Sequence, residues 1–380
     1  MEKGGDKEKM KLSCTQENLT RGLNLVSRLA STRSTLPILS HIQLSTDRGR
    51  LKLQATDLEI GIKTWIGAKV EKEGSVTVPG RLISEFVSMN TDKKLNLIIK
   101  DQTLNITSER FQANIKGTSS EEFPLIPQVK EESFISVPAK TLEEAIREVI
   151  IAVALDETRP ALSGVYLKTE DSKLKMVATD SYRLAEKTIP LENKAATQKA
   201  GVIIPAKTMH ELLRILGAIA SEQVKIYLAQ NQVQFNVDKN IELVSRLIEG
   251  TFPNYEQIIP TNYQTKISLE AEEFTNGLKV ANLFARESAN NIKIEIKTPG
   301  SLFIKAVAGQ VGDNLSQISC QAEGNNTSVA FNAKFLLDAL SVISSPKIDL
   351  EISGKLSPGV IRPADSKNYL YIIMPLRTEE

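Results

Sequence analysis

The chain has 380 residues, 41% of them hydrophobic and 24% charged, with a formal net charge of +1. That composition belongs to a globular chain of two or three domains. It excludes a uniformly basic nucleic-acid binder, because tight binding requires several phosphates to be neutralised together by charges gathered in one place. Residues 1–9, MEKGGDKEK, are charged and glycine-rich and lack the apolar stretch of a signal peptide, so they are expected to form a disordered extension. Further on, LSCTQENLTRGLNLVSRL (12–29) reads as a helix. Leu19, Leu23, Val26 and Ala30 make its apolar stripe, and Asn18, Arg21, Asn24 and Arg28 run along another face. A short β-rich run and a second helix follow in VTVPGRLISEF (76–86). Then come the alternating strands LNLIIK, TLNITSE and FQANIKG.

The same strand-then-helix pattern returns in ISVPAKTLEEAI (135–146), VIIPAKTMHELL (202–213) and VAFNAKFLLDAL (329–340). In the first of these, Leu142, Ala145, Ile146, Val149 and Val153 form the stripe, with Lys140, Glu144 and Arg147 off it. In the second, Met209, Leu212, Leu213 and Leu216 are expected to be buried, and Lys207 and Arg214 are not. Pro79, Pro138 and Pro205 are placed in the first helical turn, where proline sacrifices no hydrogen bond. Asn332 is expected to cap its helix through its side chain.

These four anchors are spaced 59, 67 and 127 residues apart, and the doubled gap predicts another helix start near residue 270. ISLEAEEFTNGLKVANLF (267–284) supplies it. With residues 12–29 the chain holds six half-units, which pair into three domains of about 125 residues. Phe123-Pro124 recurs as Phe252-Pro253, and a polar stretch follows each. The boundaries are therefore set at 10–131, 132–263 and 264–380, in an α+β fold with two helices packed on antiparallel sheet in each domain.

Catalytic signatures are missing. The two histidines, His41 and His210, make no metal spacing with the two cysteines, and there is no phosphate loop or nucleophile elbow. Neither do Cys14 and Cys320 make a disulfide framework, which fits a reducing cytoplasm. No run approaches the ~18 apolar residues of a membrane span. Asp57 and Asp180 sit in a repeated A-T-D, 123 residues apart. Both are read as turn caps, Thr and Asp bonding to the local backbone, in preference to nucleophiles or metal ligands. A cation stands two places after each anchor, at Arg81, Lys140, Lys207 and Lys334, whereas Glu17 and Glu272 lie near the matching place in the other two helices.

Six motifs together resemble the bacterial DNA polymerase III β-subunit family, the sliding clamps: TRSTLPILSHIQL (32–44), LQATDLEIGI (53–62), EEFPLIP (121–127), MVATDSYRLA (176–185), SRLIEGTFPNYEQIIP (245–260) and YIIMPLR (371–377). They run from about Met10 to Arg377. The resemblance implies three tandem clamp domains per chain, two chains closing head to tail into a ring, and no reaction catalysed. The ring encircles duplex DNA without regard to sequence and tethers the DNA polymerase III α subunit, the clamp loader, and other polymerases and repair proteins that carry clamp-binding peptides. No cofactor or metal is implied.

Carried onto this chain, the DNA-facing residues are Arg33, Arg81, Lys140, Arg147, Lys207, Arg214 and Lys334. The peptide pocket takes Leu162, Thr179, Arg183, Leu184, Pro253, Ile258, Phe335, Met374, Pro375, Leu376 and Arg377, with Arg183 and Arg377 as donors at its rim. Phe111, Leu283 and Phe284 lie at the dimer joint. The A-T-D of domain one lacks the arginine and is expected to carry no pocket. Ser181-Tyr182 where the family commonly has Gly-His, Gln257 where a relative has arginine, and the extension Thr378–Glu380 all bear on peptide preference. The competing reading is a three-domain scaffold that uses the same pocket without DNA.

Overall fold

A computed structural model describes residues 8–30, 36–129, 133–156, 158–191, 201–309 and 312–377. Residues 1–7, Arg33 and Thr378 to Glu380 therefore lie outside the described residues, and the first strand, Glu8–Thr15, begins inside the stretch expected as an extension. Among the described residues there are six α-helices, one at each expected start: α1 Gln16–Val26, α2 Gly80–Met89, α3 Ala139–Ile150, α4 Ala206–Ala218, α5 Ala271–Ala285 and α6 Ala333–Val342.

The apolar stripes are buried as the periodicity requires; Leu142, Ala145, Ile146 and Val149 are all fully covered. Leu213 is the exception. It is half-buried, and Ile215 fills the interior in its place. The prolines also differ from expectation. Pro79, Pro138 and Pro205 end the strands that precede α2, α3 and α4 and stand one residue outside each helix. Proline's fixed φ suits that extended position, and its missing N–H is not needed where the ladder stops. Asn332 caps α6 as anticipated, its Oδ1 accepting from the N–H groups of Lys334 (3.0 Å) and Phe335 (3.4 Å).

The chain forms two compact units, residues 1–139 with 214–247, and residues 140–213 with 248–380. The first holds a five-stranded and an eight-stranded antiparallel sheet, and the second a nine-stranded and a four-stranded one. This division cuts through the central repeat because each half of it shares a sheet with a neighbour. Strand Ile241–Arg246 pairs with Ile60–Gly67 of the first repeat, Leu243 opposite Ile62. Strand Arg183–Pro190 pairs with Tyr369–Ile373 of the third, Ala185 opposite Tyr371. Backbone ladders thus cross both repeat boundaries.

One glycine recurs in the first and third repeats. A Cβ on Gly22 of α1 would lie 2.7 Å from Leu53 and 2.9 Å from Ile66, and one on Gly277 of α5 would lie 2.8 Å from Ile318. Each lets a helix lie directly on its sheet, which accepts the helix-propensity penalty of glycine in exchange for close packing.

Candidate peptide cleft and charged helix starts

The second A-T-D closes strand Lys173–Thr179 with a tight turn. Thr179 Oγ1 donates to the Arg183 carbonyl (2.7 Å) and accepts from Ser181 N–H (3.1 Å). Asp180 Oδ1 accepts from the N–H groups of Tyr182 and Arg183, both at 2.9 Å. The first copy repeats every one of these bonds: Thr56 Oγ1 with the Ile60 carbonyl (2.8 Å) and Leu58 N–H (3.0 Å), and Asp57 Oδ1 with the N–H groups of Glu59 (3.1 Å) and Ile60 (2.7 Å). Both aspartates therefore act as the turn caps the sequence suggested.

The two corners differ in what replaces Ile60. Arg183 Nε donates to Asp180 Oδ2 at 3.0 Å, its Nη1 donates to Asp338 of α6, and its guanidinium lies 4.3 Å from the centre of the Phe335 ring. The side chain is only 9% exposed. Arg183 is thus no rim donor. It is an internal brace that fastens the A-T-D corner of the central repeat to the first turns of α6, because two carboxylates and a ring face already occupy its fork.

Around this brace the other expected residues sort into buried and exposed. Leu162 and Leu184 are buried in one apolar cluster with Val177, Phe252, Tyr255, Val360 and Ile372, and neither lines the cavity beside Met374. Tyr166 stacks on Phe252 with ring centres 4.7 Å apart, which fixes the start of the 252–260 segment. Pro253 and Ile258 stand exposed above it, and Phe335 is half-buried under the guanidinium. At the chain end, Met374 N–H donates to the Tyr182 carbonyl and Leu376 N–H to the Ala330 carbonyl, each at 2.8 Å. Pro375 and Leu376 are half-buried, and Arg377 is exposed.

Ile258 and Met374 open onto a cavity of about 450 Å³. Its remaining lining includes Gln257, Thr261, Asn262, Ser353, Ser357 and Pro358, most of which the sequence did not single out. Their signal was faint, since small polar residues in loops look alike until the fold brings 257–262 and 353–358 together. The expectation that the first A-T-D carries no pocket is corrected. A smaller cavity of about 170 Å³ lies there, bounded by Leu58, Glu59, Ile60, Leu125, Ile126 and Arg246 among others.

The cations fall at one repeated place. Arg81, Lys140, Lys207 and Lys334 are each the second residue of α2, α3, α4 and α6, and each is exposed. Glu17 and Glu272 hold that place in α1 and α5. Arg81 pairs with Glu85 (2.8 Å) and Arg147 with Glu143 (2.6 Å) along their own helices. Such exposed pairs exchange readily with water. Arg214 is differently engaged, donating to the carbonyls of Asn24 (3.2 Å) and Leu25 (2.7 Å) in the last turn of α1. His210 is exposed. Burial lifts the Cys14 thiol to about 12, so it is an inert core group. Among the described residues no cluster of His, Cys, Asp and Glu could hold a metal, and no helix is long and apolar enough to cross a membrane.

The residues expected at the dimer joint are partly solvent-facing. Phe111 is 41% exposed beside the Arg110 guanidinium. Leu82 and Met89 of α2 are also exposed in that unit. In the other unit Leu283 is exposed and Phe284 half-buried on α5, with Val280 exposed one turn earlier.

Three consecutive domains of helices on antiparallel sheet, joined by shared sheets, define a clamp fold. Family models for the N-terminal, central and C-terminal domains of the DNA polymerase III beta subunit match residues 10–127, 136–254 and 256–377. The beta sliding clamp of Staphylococcus epidermidis is 32% identical over 97% of this chain and 100% of its own length. That of Halalkalibacterium halodurans is also 32% identical, over 94% of this chain and 97% of its own. The crystal structure of the Bacillus subtilis DNA polymerase sliding clamp superposes with a TM-score of 0.92 at 29% identity, covering 97% of this chain and 100% of that one. The Thermotoga maritima DNA polymerase III beta subunit gives 0.90 at 28% over the same shares. The chain belongs to the DNA polymerase III β-subunit family and is a DNA sliding clamp, a processivity factor of replication.

Proposed function

We propose that two copies of this chain close head to tail around duplex DNA, and that the cleft beside Met374 tethers the replicative polymerase. The cleft also receives the clamp loader and the other polymerases and repair proteins that carry clamp-binding peptides. The domains of this ring are 10–131, 132–263 and 264–380, it works in the cytoplasm, and it performs no chemistry of its own. The observation that carries this reading is the cation at the second residue of four helices. A helix N-terminus carries partial positive charge, so lysine or arginine there works against helix stability by a few tenths of a kcal/mol. Repetition of an unfavourable choice favours a shared ligand, and the phosphate backbone suits it: weak, sequence-independent contacts hold DNA without stopping it from sliding. Retention on DNA is the direct test. With a clamp loader present, the protein should stay on circular DNA and be lost when the circle is cut. Equal loss from both would remove encirclement, as a scaffold indifferent to DNA requires.

Two further outcomes follow from this reading. Changing Arg33, Arg81, Lys140, Lys207 and Lys334 together to alanine should reduce loading and clamp-stimulated synthesis severalfold while leaving the dimer intact. Each single change should have little effect, since the contacts are many and equivalent. Normal loading by the fivefold variant would show that these residues do not meet DNA. A chain with two unlike ends must either close or polymerise. The joint is proposed to set Phe111 and α2 against Leu283 and Phe284 of the partner copy. Sedimentation at micromolar concentration should therefore give a dimer, and Leu283→Asp should give monomers; a wild-type monomer contradicts the ring.

A further inference from the structure

The cavity at the first A-T-D corner has a mouth that folding alone does not explain. Leu58 occupies the turn position held by Ser181 in the second copy, and both have left-handed backbones, with φ of 78° and 79°. A branched apolar residue is poorly suited to that conformation, which Gly, Asn and Asp tolerate best. Leu58 is not buried in return but stays 45% exposed. Leu125, held between Pro124 and Pro127, is 88% exposed on the same cavity. Together they place two aliphatic side chains in water around an opening of about 170 Å³. Its size also has a cause. Gly61 replaces the Leu184 of the other corner, and Ile126 occupies the space a side chain there would take, 2.6 Å from the position of a Cβ. Enough room is left for one side chain of leucine size.

Among the described residues lining the mouth, one cation can meet a ligand. Arg246 is 64% exposed, and its pairing with Glu59 is long (3.7 Å) and equally open to water. An exposed pair of that kind contributes little and is readily replaced by a better-placed carboxylate.

We propose that this cavity is a second docking site, which takes a short acidic peptide by one aliphatic side chain while Arg246 holds the neighbouring carboxylate. The ligand class rests on reading the Met374 cleft as a peptide cleft, because the same capped turn recurs there, its Tyr182 carbonyl accepting from Met374 N–H. A small anchor and one exposed charge make it a weak site, useful as a second hold on a partner already tethered by the main cleft, where linkage raises the effective concentration.

The test uses the full-length dimer with leucine and isoleucine methyl groups isotopically labelled for NMR. The probe is the blocked tetrapeptide acetyl-Ala-Leu-Asp-Ala-amide. Saturable shifts at Leu58, Leu125 and Ile126 are expected, with half-saturation on the order of millimolar, given how little a few ligand atoms can contribute. Arg246→Glu should weaken binding roughly fivefold to tenfold, and Glu59→Gln should tighten it severalfold. Replacing the probe's leucine with alanine should abolish the shifts. Both substituted side chains are exposed, so neither variant threatens the fold. Signals of Ile258, which lines the main cleft, report it separately, so failure there is distinguishable from failure here. The proposal is overturned by absence of saturable shifts at Leu58 and Leu125, by equal affinities in the wild type and Arg246→Glu, or by shifts that depend on protein concentration alone and so mark contact between copies.

Discussion

Arg183→Ala is expected to loosen the central and C-terminal repeats together and to weaken peptide capture. The wild-type guanidinium joins Asp180, Asp338 and the face of Phe335 while remaining 9% exposed. Asp180 would keep its bonds to the Tyr182 and Arg183 N–H groups, so the turn itself should persist. Asp338 would lose its cation, and Phe335 the plane that covers it. Breaking a buried pair costs about 3–5 kcal/mol; because Asp338 is 31% exposed, roughly 2–3 kcal/mol is expected here. For a unit of this size that lowers the midpoint of thermal unfolding by about 5–10 °C. Arg183→Lys should recover little, because an ammonium presents no planar fork for two carboxylates and a ring. Calorimetry together with binding of a labelled polymerase C-terminal peptide checks both effects. Unchanged melting and affinity in Arg183→Ala would mean that the brace holds nothing.

The reversal of Arg183 from rim donor to brace shows what one-dimensional information contains here. The helix starts were legible because a strand, a proline or asparagine, and an apolar stripe are all local. The turn caps were legible for the same reason: Thr179 and Asp180 bond within four residues of themselves. Arg183 finds Asp338 across 155 residues of sequence, and nothing near either residue announces the other. The cleft shows the same limit. Sequence marked Leu162, Leu184, Ile258 and Met374 as apolar, but only tertiary packing decides that the first two are buried and the last two exposed. The first A-T-D lacks arginine and so promises no pocket, yet a cavity depends on how Ile126 and Gly61 fill space rather than on one missing charge. Proline lies one residue before the expected helical position for a subtler reason. Both the last strand position and the first helical turn accept its φ, and local preference does not separate them.

Deleting Met374 through Glu380 is expected to reduce peptide affinity by about tenfold to a hundredfold and to leave the fold intact. The cut removes Met374 from the cavity lining, together with the half-buried Pro375 and Leu376 and the exposed cation of Arg377. An apolar anchor in a desolvated pocket contributes about 2 kcal/mol or more, and ~1.4 kcal/mol is a factor of ten, so loss of one such contact falls in that range. Two backbone bonds also disappear, from Met374 to the Tyr182 carbonyl and from Leu376 to the Ala330 carbonyl. Both acceptors would then be open to water, so the loss to folding is about 1 kcal/mol for each. The strand Tyr369–Ile373 remains, fully buried and paired on both sides, to Arg183–Lys187 and to Gly359–Ile361. Truncation should therefore damage the cleft without dissolving the sheet that supports it. Titration of the labelled polymerase peptide against intact and truncated protein, each shown by sedimentation to be dimeric, separates the two effects. Equal affinities would place the peptide elsewhere on the clamp, and the bracing of the second A-T-D corner by Arg183 would then serve the sheet alone.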